Sequence, residues 1–489
     1  MISTASSQGL GKGQAEMPGW SWHELQHLGG LERRLVKRLA TMLEDWAAQP
    51  QASIPESSRS KAAAKASYRL LANERLNVVD LEQSHREATW GRMLGHEVVL
   101  AVADTTSFNH TTHDQTEGIG PIGQGNGSAQ GFFLHSVLAL SEAGEALGVL
   151  HAHTWARACD GPSRRQRQAQ KNRKALGERE SHRWVSTYEA VAARQEEWRQ
   201  REAPDTRLPR VVMVSDRESD IYELFVSNLQ HDRHCAVLVR ALHPRRLHES
   251  GQIVWEHLEA QAELAHVEIM VPAQGKRPER RAQLALRSMP VELGVPRDKA
   301  RFFGASTPLK LWAIEAVESE APAGCEPLHW KLLSSIPCAD AAGVQRQLRW
   351  YARRWNIEVF HRTLKSGCQC ERRRLGSYER LRRALSLDMI VAWRLMALRD
   401  AARQQPEAPA TRWLEKEQCE VLVVWATRKK PQAGPGPTIA QAVRWIARLG
   451  GYQDRKNDPP PGAEVLWRGL HHLHDMTETW KLSQLVGKS

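Results

Sequence analysis

The chain has 489 residues, 41% of them hydrophobic and 25% charged, which is typical of a globular protein with roughly two to four domains. No uninterrupted run of about 18 apolar residues occurs, which excludes a helical membrane span, and the N-terminal stretch lacks the apolar segment of a secretory signal. The formal net charge of +12 favours a polyanionic partner, nucleic acid above all. An arginine-rich composition without any special partner is the alternative.

The seven cysteines are scattered and odd in number, which favours a reduced, cytoplasmic setting over a disulfide framework. Cys368 and Cys370 have no second pair of cysteines or histidines at the spacing of a zinc site. We therefore interpret this pair as structural.

Two basic helices are predicted near the N-terminus, separated by a linker rich in proline and serine. The segment LERRLVKRLATMLEDWA, which begins at Leu31, repeats apolar residues at helical spacing with basic residues between them. The segment KAAAKASYRLLAN places Lys61, Lys65 and Arg69 at i, i+4 and i+8, on one face of a second helix. Such a stripe is commonly a solvated surface, but two basic helices around a serine-rich turn also fit a small DNA-binding domain.

The sequence then changes to β structure. HEVVLAVADTTSF predicts a strand that ends at Asp104, and GFFLHSVLAL with LGVLHAHTW predicts a hairpin. Residues 160–208 are highly charged and predict a loop and a helix on the surface. LPRVVMVSDRESDIYELFVSNL predicts a strand that ends at Asp216 and is followed by a helix, and CAVLVRAL predicts another buried strand.

The second half of the chain separates into β-rich and helical parts. Residues 242–340 consist mainly of short alternating runs, which predict an antiparallel subdomain. Long helices are predicted over 342–403, and a proline-punctuated linker then leads to a mainly helical segment over 410–489. The fold class is therefore expected to be α/β.

The segment YARRWNIEVFHRTLKSG, which begins at Tyr351, places one carboxylate among several basic groups in what is predicted to be a continuous helix. At about 100° per residue, five of its side chains fall within an arc of about 80°. They are Tyr351, Arg354, Glu358, Arg362 and Lys365. Such a face is either a solvated set of ion pairs or one wall of a site that binds phosphate and metal.

Three acidic residues stand out by position, because Asp104 and Asp216 each end a hydrophobic strand and Glu358 lies on this helix. Each has an ordinary explanation as a turn or cap residue, or, for Glu358, as the partner of Arg354. Together they fit in-line cleavage of a phosphodiester by two divalent cations roughly 3.5–4 Å apart. Magnesium prefers hard oxygen ligands, so carboxylates and a substrate phosphate suffice. Basic residues of the same helical face would hold DNA phosphates, and Tyr351 would donate a hydrogen bond to one.

Three motifs resemble the DDE transposases of bacterial insertion sequences: ADTTSF, VSDRESDIY and YARRWNIEVFHRTLKSG. The third satisfies the signature Tyr-x2-Arg-x3-Glu-x6-Lys of the group that includes the transposon-five transposase. The matching positions are Tyr351, Arg354, Glu358 and Lys365. The order of the three motifs along the chain makes the resemblance specific.

The resemblance implies an RNase H-like catalytic core over residues 76–403, interrupted by a β-rich insertion at about 242–340. It also implies a helical domain over 1–75 that binds transposon ends. A helical dimerisation domain is implied over 404–489.

The implied activity is cut-and-paste DNA transposition by a homodimer in the bacterial cytoplasm, associated with the nucleoid when it is bound to DNA. Asp104, Asp216 and Glu358 would hold two Mg²⁺ ions per active site, with Mn²⁺ as a substitute. In this family water nicks one strand at the inverted repeat, and the freed 3′-hydroxyl attacks the opposite strand to form a hairpin. The hairpin is then opened, and the 3′ end joins target DNA.

The family also assigns residues to the hairpin step, in which a tryptophan receives a flipped base. Trp330 matches that position, and a buried core tryptophan is the alternative. Arg240, Tyr351 and Arg354 match the residues that hold the distorted strand. Arg362 stands where the resembled transposase carries lysine, which preserves charge but changes geometry.

Two other functions compete with transposition. One is an RNase H-fold nuclease that cleaves without joining, which would need no pocket for a flipped base. The other is a DNA-end-binding repressor without catalysis, which would gain nothing from three acids suited to metal binding.

Overall fold

The computed structural model describes residues 19–486, apart from 124–128, 159–179, 204, 232–234, 272–279, 298, 304–307, 323–324, 432–433, 435 and 457. Its central element is a mixed sheet of ten strands. The strands are β1 (Val98–Asn109), β2 (Gly120–Pro121), β3 (Gln130–Ser141), β4 (Ala146–Trp155), β5 (Arg210–Ser215), β6 (Cys235–Arg240), β7 (Ala265–Val271), β8 (Arg280–Leu293), β9 (Leu309–Glu318) and β10 (His329–Ser334). Their order across the sheet is β2-β3-β1-β5-β6-β10-β9-β8-β7, and β4 pairs with β3.

The sheet is covered on both faces. Alternate residues of β1 belong to two different hydrophobic cores, with Val98 and Leu100 in one and Val99 and Ala101 in the other. Because successive side chains of a strand point to opposite faces, one core lies on each side of the sheet. Burial of β1 on both faces explains the near-continuous apolar run in HEVVLAVADTTSF.

Five strands form the predicted RNase H-like core. The parallel strands β1, β5 and β6 lie side by side, and β3 and β4 continue the sheet beyond β1 in antiparallel order. The α/β class and the RNase H-like core are therefore confirmed.

The β-rich insertion continues the same sheet instead of forming a separate layer. Strand β10 pairs antiparallel with β6, and β9, β8 and β7 follow in turn. The exit from β6 is fixed by the buried Asp220, whose carboxylate accepts hydrogen bonds from the backbone N–H groups of Leu242 and His243 and pairs with Arg245. The insertion thereby covers an edge that would otherwise expose unpaired backbone groups.

The N-terminal helices are α1 (Trp20–Leu25), α2 (Arg33–Ala48), α3 (Ile54–Ser57), α4 (Lys61–Leu71) and α5 (Val78–Met93). Both predicted basic helices are present, as α2 and α4. The linker between them contains the single turn α3, which Ser53 and Glu56 cap reciprocally. Leu39 and Trp46 of α2 join one of the two cores, so this helix shares a core with one face of the sheet.

The remaining helices are α6 (His182–Arg201), α7 (Tyr222–His231), α8 (Val254–Glu259), α9 (Ala300–Phe303), α10 (Ala341–Arg353), α11 (Trp355–Arg362), α12 (Tyr378–Gln404), α13 (Lys416–Thr427), α14 (Ile439–Leu449) and α15 (Ala463–Val486). Short 3₁₀ turns span Arg217–Ser219, Cys370–Arg372 and Ala410–Arg412. Within the described residues, no helix combines the length and apolar character needed to cross a bilayer.

The predicted continuous helix around Glu358 is wrong in detail. Helix α10 ends at Arg353, α11 begins at Trp355, and a π-helical turn covers Thr363–Gly367. The π turn is marked by the bond from the Cys368 N–H to the Thr363 carbonyl, at 2.8 Å. A constant rotation of about 100° per residue therefore fails beyond Arg362.

The helix predicted within residues 160–208 is present as α6, with one face exposed and the other buried. Helix α6 buries Trp184, Tyr188 and Trp198 against the sheet, and the Tyr188 hydroxyl donates to the Cys235 carbonyl at 2.6 Å. These large residues recur at helical spacing, but the charged residues between them hide the pattern in a composition average. The predicted loop before this helix falls largely on 159–179, outside the described residues.

Helix α15 packs against the π turn. The Trp467 ring lies so close to Gly367 that a Cβ atom at this glycine would sit 2.7 Å from the ring. Gly367 is buried, and the Gln51 side chain donates to the neighbouring Ser366 carbonyl at 3.2 Å. The segment that carries Lys365 is therefore held from both ends of the chain.

Gly367→Ala should destabilise the protein by about 1–3 kcal/mol, because the added methyl group overpacks the Trp467 contact. Urea unfolding of the purified variant measures this change. Gly91→Ala in α5 is the matched control, because a Cβ added there would meet no atom within 4 Å and the position is exposed. It should stabilise by about 0.4–1 kcal/mol. Equal behaviour of the two variants would contradict the packing argument.

Candidate active site

Asp104 and Asp216 occupy equivalent positions relative to the neighbouring parallel strands β1 and β5. The β1–β5 register pairs Val102 with Val214, and each aspartate lies two residues further along the chain, Asp104 within β1 and Asp216 directly after β5. Because side chains alternate with a period of two, both aspartates point to the same face of the sheet at the same level. This register brings together two carboxylates that are distant in sequence.

The sequence predicted that the strand would end at Asp104, and this prediction is wrong. The fully buried run ends at Ala103, but β1 continues to Asn109 because β3 remains paired with it on the other side. What ends near Asp104 is the parallel partner β5, and this loss of a neighbour opens the sheet beside the carboxylate.

Asp216 directly follows β5, as predicted, and caps the 3₁₀ turn after it. Its Oδ1 accepts a hydrogen bond from the Glu218 backbone N–H at 2.9 Å. The Ser215 and Ser219 hydroxyl groups, 2.6 Å apart, close the same turn. The aspartate is therefore held by local backbone structure at the end of the sheet.

Glu358 reaches the site because α11 is anchored on β3. The buried His361 Nε2 lies 2.9 Å from the Ser136 hydroxyl, and Ser136 is the residue paired with Asp104 across β1 and β3. Burial lowers the pKa of His361 to about 3, so the ring that meets the serine hydroxyl is neutral. Glu358, one helical turn earlier, then faces the same row of the sheet.

The charges of Asp216 and Glu358 both act on Asp104. Burial raises the pKa of Asp104 to about 6, against an ordinary value of 3.8. The Thr105 N–H and Arg354 oppose this rise of the pKa, whereas the negative charges of Asp216 and Glu358 add to it. Asp104 therefore lies within electrostatic reach of both other acids.

Arg354 neutralises part of this charge. Its guanidinium donates to Glu358 Oε1 at 2.6 Å and lies 3.5 Å from Asp104 Oδ2. The arginine is predicted to contact DNA, yet in this structure it bridges two of the three acids. Glu358 is therefore the ion-pair partner of Arg354, and its catalytic role stays a prediction.

The donor set fits divalent cations that prefer oxygen. The three carboxylates need not all lie within bonding distance of one ion, because two ions roughly 3.5–4 Å apart would be held by different carboxylates. In the described part of the chain, the group of three ligand atoms within 4.8 Å of one another is Glu259, Glu315 and His329, and not the predicted triad.

The group of Glu259, Glu315 and His329 already contains a cation. The Lys331 ammonium lies 3.1 Å from Glu259 and 3.7 Å from Glu315, and Arg287 lies 3.7 Å from Glu315. A further metal ion would have to displace this lysine. We therefore assign the cluster to the packing of the insertion.

The residues predicted to hold a flipped base come together at the edge of the site. The rings of Trp330 and Tyr351 meet edge to face, with centroids 5.3 Å apart. Arg240 lies next to the Tyr351 hydroxyl and donates to the His329 carbonyl at 3.5 Å. Tyr351 is buried, whereas Trp330 is half-buried at the boundary of the core, so only the tryptophan offers an accessible ring.

The other predicted DNA contacts lie on the surface around this centre. Arg362 is exposed, and the half-buried Lys365 places its ammonium 5.8 Å from the centre of the Phe108 ring on β1. Among the described residues, neither cation bonds to the three acids. The basic face of α4 is fully exposed, and its members are Lys61, Lys65 and Arg69.

Three residues near the site were missed by sequence analysis: Thr105, Arg183 and Glu218. Arg183 donates to the Thr105 hydroxyl at 3.0 Å and pairs with the Glu218 carboxylate. It lies on the helix expected at the surface. The signal that marks it is the adjacent Trp184, whose burial fixes that turn of α6 against the sheet.

Two family models match the ends of the chain. A model described as "Transposase DNA-binding" matches residues 17–76, and one described as "Transposase Tn5 dimerisation domain" matches residues 390–485. Both ends of the chain thus match transposase domains, which supports a Tn5-like transposase. The resemblance read from the three internal motifs is therefore confirmed by regions outside them.

The two matches support two partners for the chain, DNA and a second copy of itself. The dimerisation model begins within α12 and ends near the end of α15. The DNA-binding model ends just before α5 and includes the exposed basic face of α4.

A solved structure was also compared, the cryo-EM structure of a piggyBac transposase synaptic complex with hairpin DNA. The match covers 92% of this chain and 85% of that chain, with 10% sequence identity and a TM-score of 0.31. A score this low does not establish a shared fold.

Asp104→Asn should stabilise the metal-free protein at neutral pH. The folded-state pKa of Asp104 is raised to about 6, so its stabilising contribution is complete below about pH 4 and is lost as the pH rises through 6. Relative to wild type, the variant should gain about 1–3 kcal/mol between pH 4 and 7, measured by urea unfolding with chelator present. Asp114→Asn, at an exposed aspartate, should show no such gain. A pH-independent difference for Asp104→Asn would contradict the assignment.

Proposed function

We propose that this transposase excises and inserts DNA by a cut-and-paste route with a hairpin intermediate. The observation that carries the proposal is the register that sets Asp104 level with Asp216, together with the bridge from Arg354 to Asp104 and Glu358. The half-buried Trp330 beside Tyr351 supports the hairpin step, since simple hydrolysis needs no pocket for a base.

The three acids would hold two Mg²⁺ ions, with Mn²⁺ as a substitute, and these ions would stabilise the attacking and leaving oxygens. Each step exchanges one phosphorus–oxygen bond for another: nicking by water, hairpin formation by the 3′-hydroxyl, hairpin opening and strand transfer. No external energy source is required, because the number of phosphodiester-type bonds is conserved in each transfer and falls only in hydrolysis.

The protein residues around the acids supply binding and distortion of the DNA. Arg354 and Arg240 carry positive charge to the rim of the site, and Arg362 and Lys365 extend it along α11 and the π turn. These cations would hold the phosphates of the bent strand. Trp330 would stack on the base that leaves the helix, which is worth about 1–3 kcal/mol.

The domains would divide the work as follows. Residues 1–75 would bind the transposon end, residues 76–403 would carry the chemistry, and residues 404–489 would hold two copies together. The active assembly would be a homodimer on paired inverted repeats with target DNA, in the bacterial cytoplasm and on the nucleoid.

The direct test incubates the purified protein with Mg²⁺ and a plasmid that carries inverted repeats from the DNA flanking its gene. Hairpinned ends and joined products are expected. Nicks without joining would indicate the nuclease, and retarded DNA without any cut would indicate the repressor.

Glu358→Gln should lower cleavage more than about 100-fold, because loss of even a hydrogen-bond partner of a metal ligand costs about 10–100-fold. Binding to end DNA in a metal-free mobility shift should remain, since the N-terminal helices are unchanged. Glu407→Gln, at an exposed position in the linker after α12, is the control and should cleave like wild type. Undiminished cleavage by Glu358→Gln would remove Glu358 from the catalytic set.

Trp330→Ala should leave nicking largely intact and slow hairpin formation roughly 5- to 150-fold, as expected for loss of one stacking contact. Trp330→Phe keeps an aromatic face and should recover much of the rate. Denaturing gels that resolve nicked and hairpinned ends measure both steps. Equal loss of nicking and hairpin formation in Trp330→Ala would mean that this tryptophan only packs the core.

A further inference from the structure

Arg183, near the start of α6, joins three separate parts of the catalytic region. Its Nε donates to the Thr105 hydroxyl at 3.0 Å, its Nη1 donates to the Glu180 carbonyl at 2.8 Å, and its Nη2 pairs with the Glu218 carboxylate. The side chain is 14% exposed. The rings of Trp155 and Trp184 lie 5.7 and 5.8 Å from it.

Arg183 contacts the side chains of Thr105 and Glu218, and each of these residues donates a backbone hydrogen bond to one acid of the site. The Thr105 backbone N–H donates to Asp104 Oδ1 at 2.7 Å, and the Glu218 backbone N–H donates to Asp216 Oδ1 at 2.9 Å. Arg183 touches neither aspartate. It links the two residues whose N–H groups orient them.

The surroundings restrict the movement of this bridge. The Thr105 hydroxyl also lies 2.9 Å from His135 Nδ1, and His135 is buried edge to face against Trp184. Burial lowers the pKa of His135 well below its usual value, so a neutral ring faces Thr105. A mostly buried guanidinium with three partners is costly to displace, since each partner would lose a charged or polar contact.

We infer that Arg183 is a positioning residue that sets the separation of Asp104 and Asp216 through Thr105 and Glu218, and thereby sets the affinity of the site for divalent cations. This inference rests on the proposed two-metal function and names a determinant of it. It follows from the geometry that a change at Arg183 weakens cation binding without touching a ligand.

The test compares Arg183→Gln, Arg183→Lys and Glu218→Gln with wild type in the full-length protein. Arg183→Gln should raise, by about 10–100-fold, the Mn²⁺ concentration that half-saturates binding without DNA, as loss of a residue that orients metal ligands does. Electron paramagnetic resonance of free Mn²⁺ measures it. The Mg²⁺ concentration for half-maximal cleavage should rise in parallel, while metal-free binding to end DNA should not change.

Arg183→Lys and Glu218→Gln are milder changes that test the contacts of Arg183 separately. Arg183→Lys keeps the charge but loses the fork of donors, so its cation affinity should fall between wild type and Arg183→Gln. Glu218→Gln weakens only the ion pair next to Asp216, so its cation affinity should also fall between wild type and Arg183→Gln. If Arg183→Gln does not fold, these two variants carry the test, because Arg183→Lys keeps a cation at the mostly buried position and Glu218→Gln leaves Arg183 in place.

Arg194→Gln is the control, because Arg194 lies on the same helix and pairs with Glu197 at a more exposed position. It should bind Mn²⁺ like wild type. Unchanged Mn²⁺ affinity in the Arg183 and Glu218 variants, with wild type binding and cleaving normally, would overturn the inference. Failure of the proposed function looks different, since wild type itself would then neither bind Mn²⁺ at this site nor cut DNA.

Discussion

The constraint on which the site depends is the register between β1 and β5. With Val102 opposite Val214, Asp104 and Asp216 face the same side of the sheet on strands about 4.7–4.9 Å apart. A slip of one residue would turn one aspartate to the opposite face and into the other hydrophobic core. The alternating apolar residues that fill both cores therefore also hold the two carboxylates together.

The same row of the sheet positions the third acid. Ser136 pairs with Asp104 on the other side of β1, and its hydroxyl anchors His361 of α11. Glu358 is consequently placed by a hydrogen bond to the sheet and not by the helix alone. The insertion between Asp216 and Glu358 does not disturb this arrangement, because it extends the sheet away from the site through β6 and β10.

Much of this could be predicted from the sequence, and the failures share a cause. The α4 helix and the β-rich insertion can be predicted from local sequence patterns, and the same patterns nominate the three acids as candidates. The extension of β1 beyond Asp104, the buried face of α6 and the contacts of Arg183 cannot be predicted in this way, since each depends on a neighbour distant in sequence. The break at Arg354 and the π turn were also missed, because helical periodicity carries no information about where hydrogen bonding changes from i+4 to i+5.

The charge balance of the proposed site would link DNA binding to cation binding. Arg354 bridges Asp104 and Glu358, the charge of Asp216 also acts on Asp104, and burial raises the pKa of Asp104 to about 6. Under the proposed function, a DNA phosphate would bring further negative charge to the same region, where the low local dielectric strengthens repulsion. Divalent cations held by the acids would relieve both repulsions at once, so DNA and metal would each strengthen the binding of the other. Cations that neutralise Asp104 and Glu358 would also release Arg354 from its two carboxylate partners. Arg354 would then be available to the phosphate, which reconciles its position here with its predicted contact to DNA.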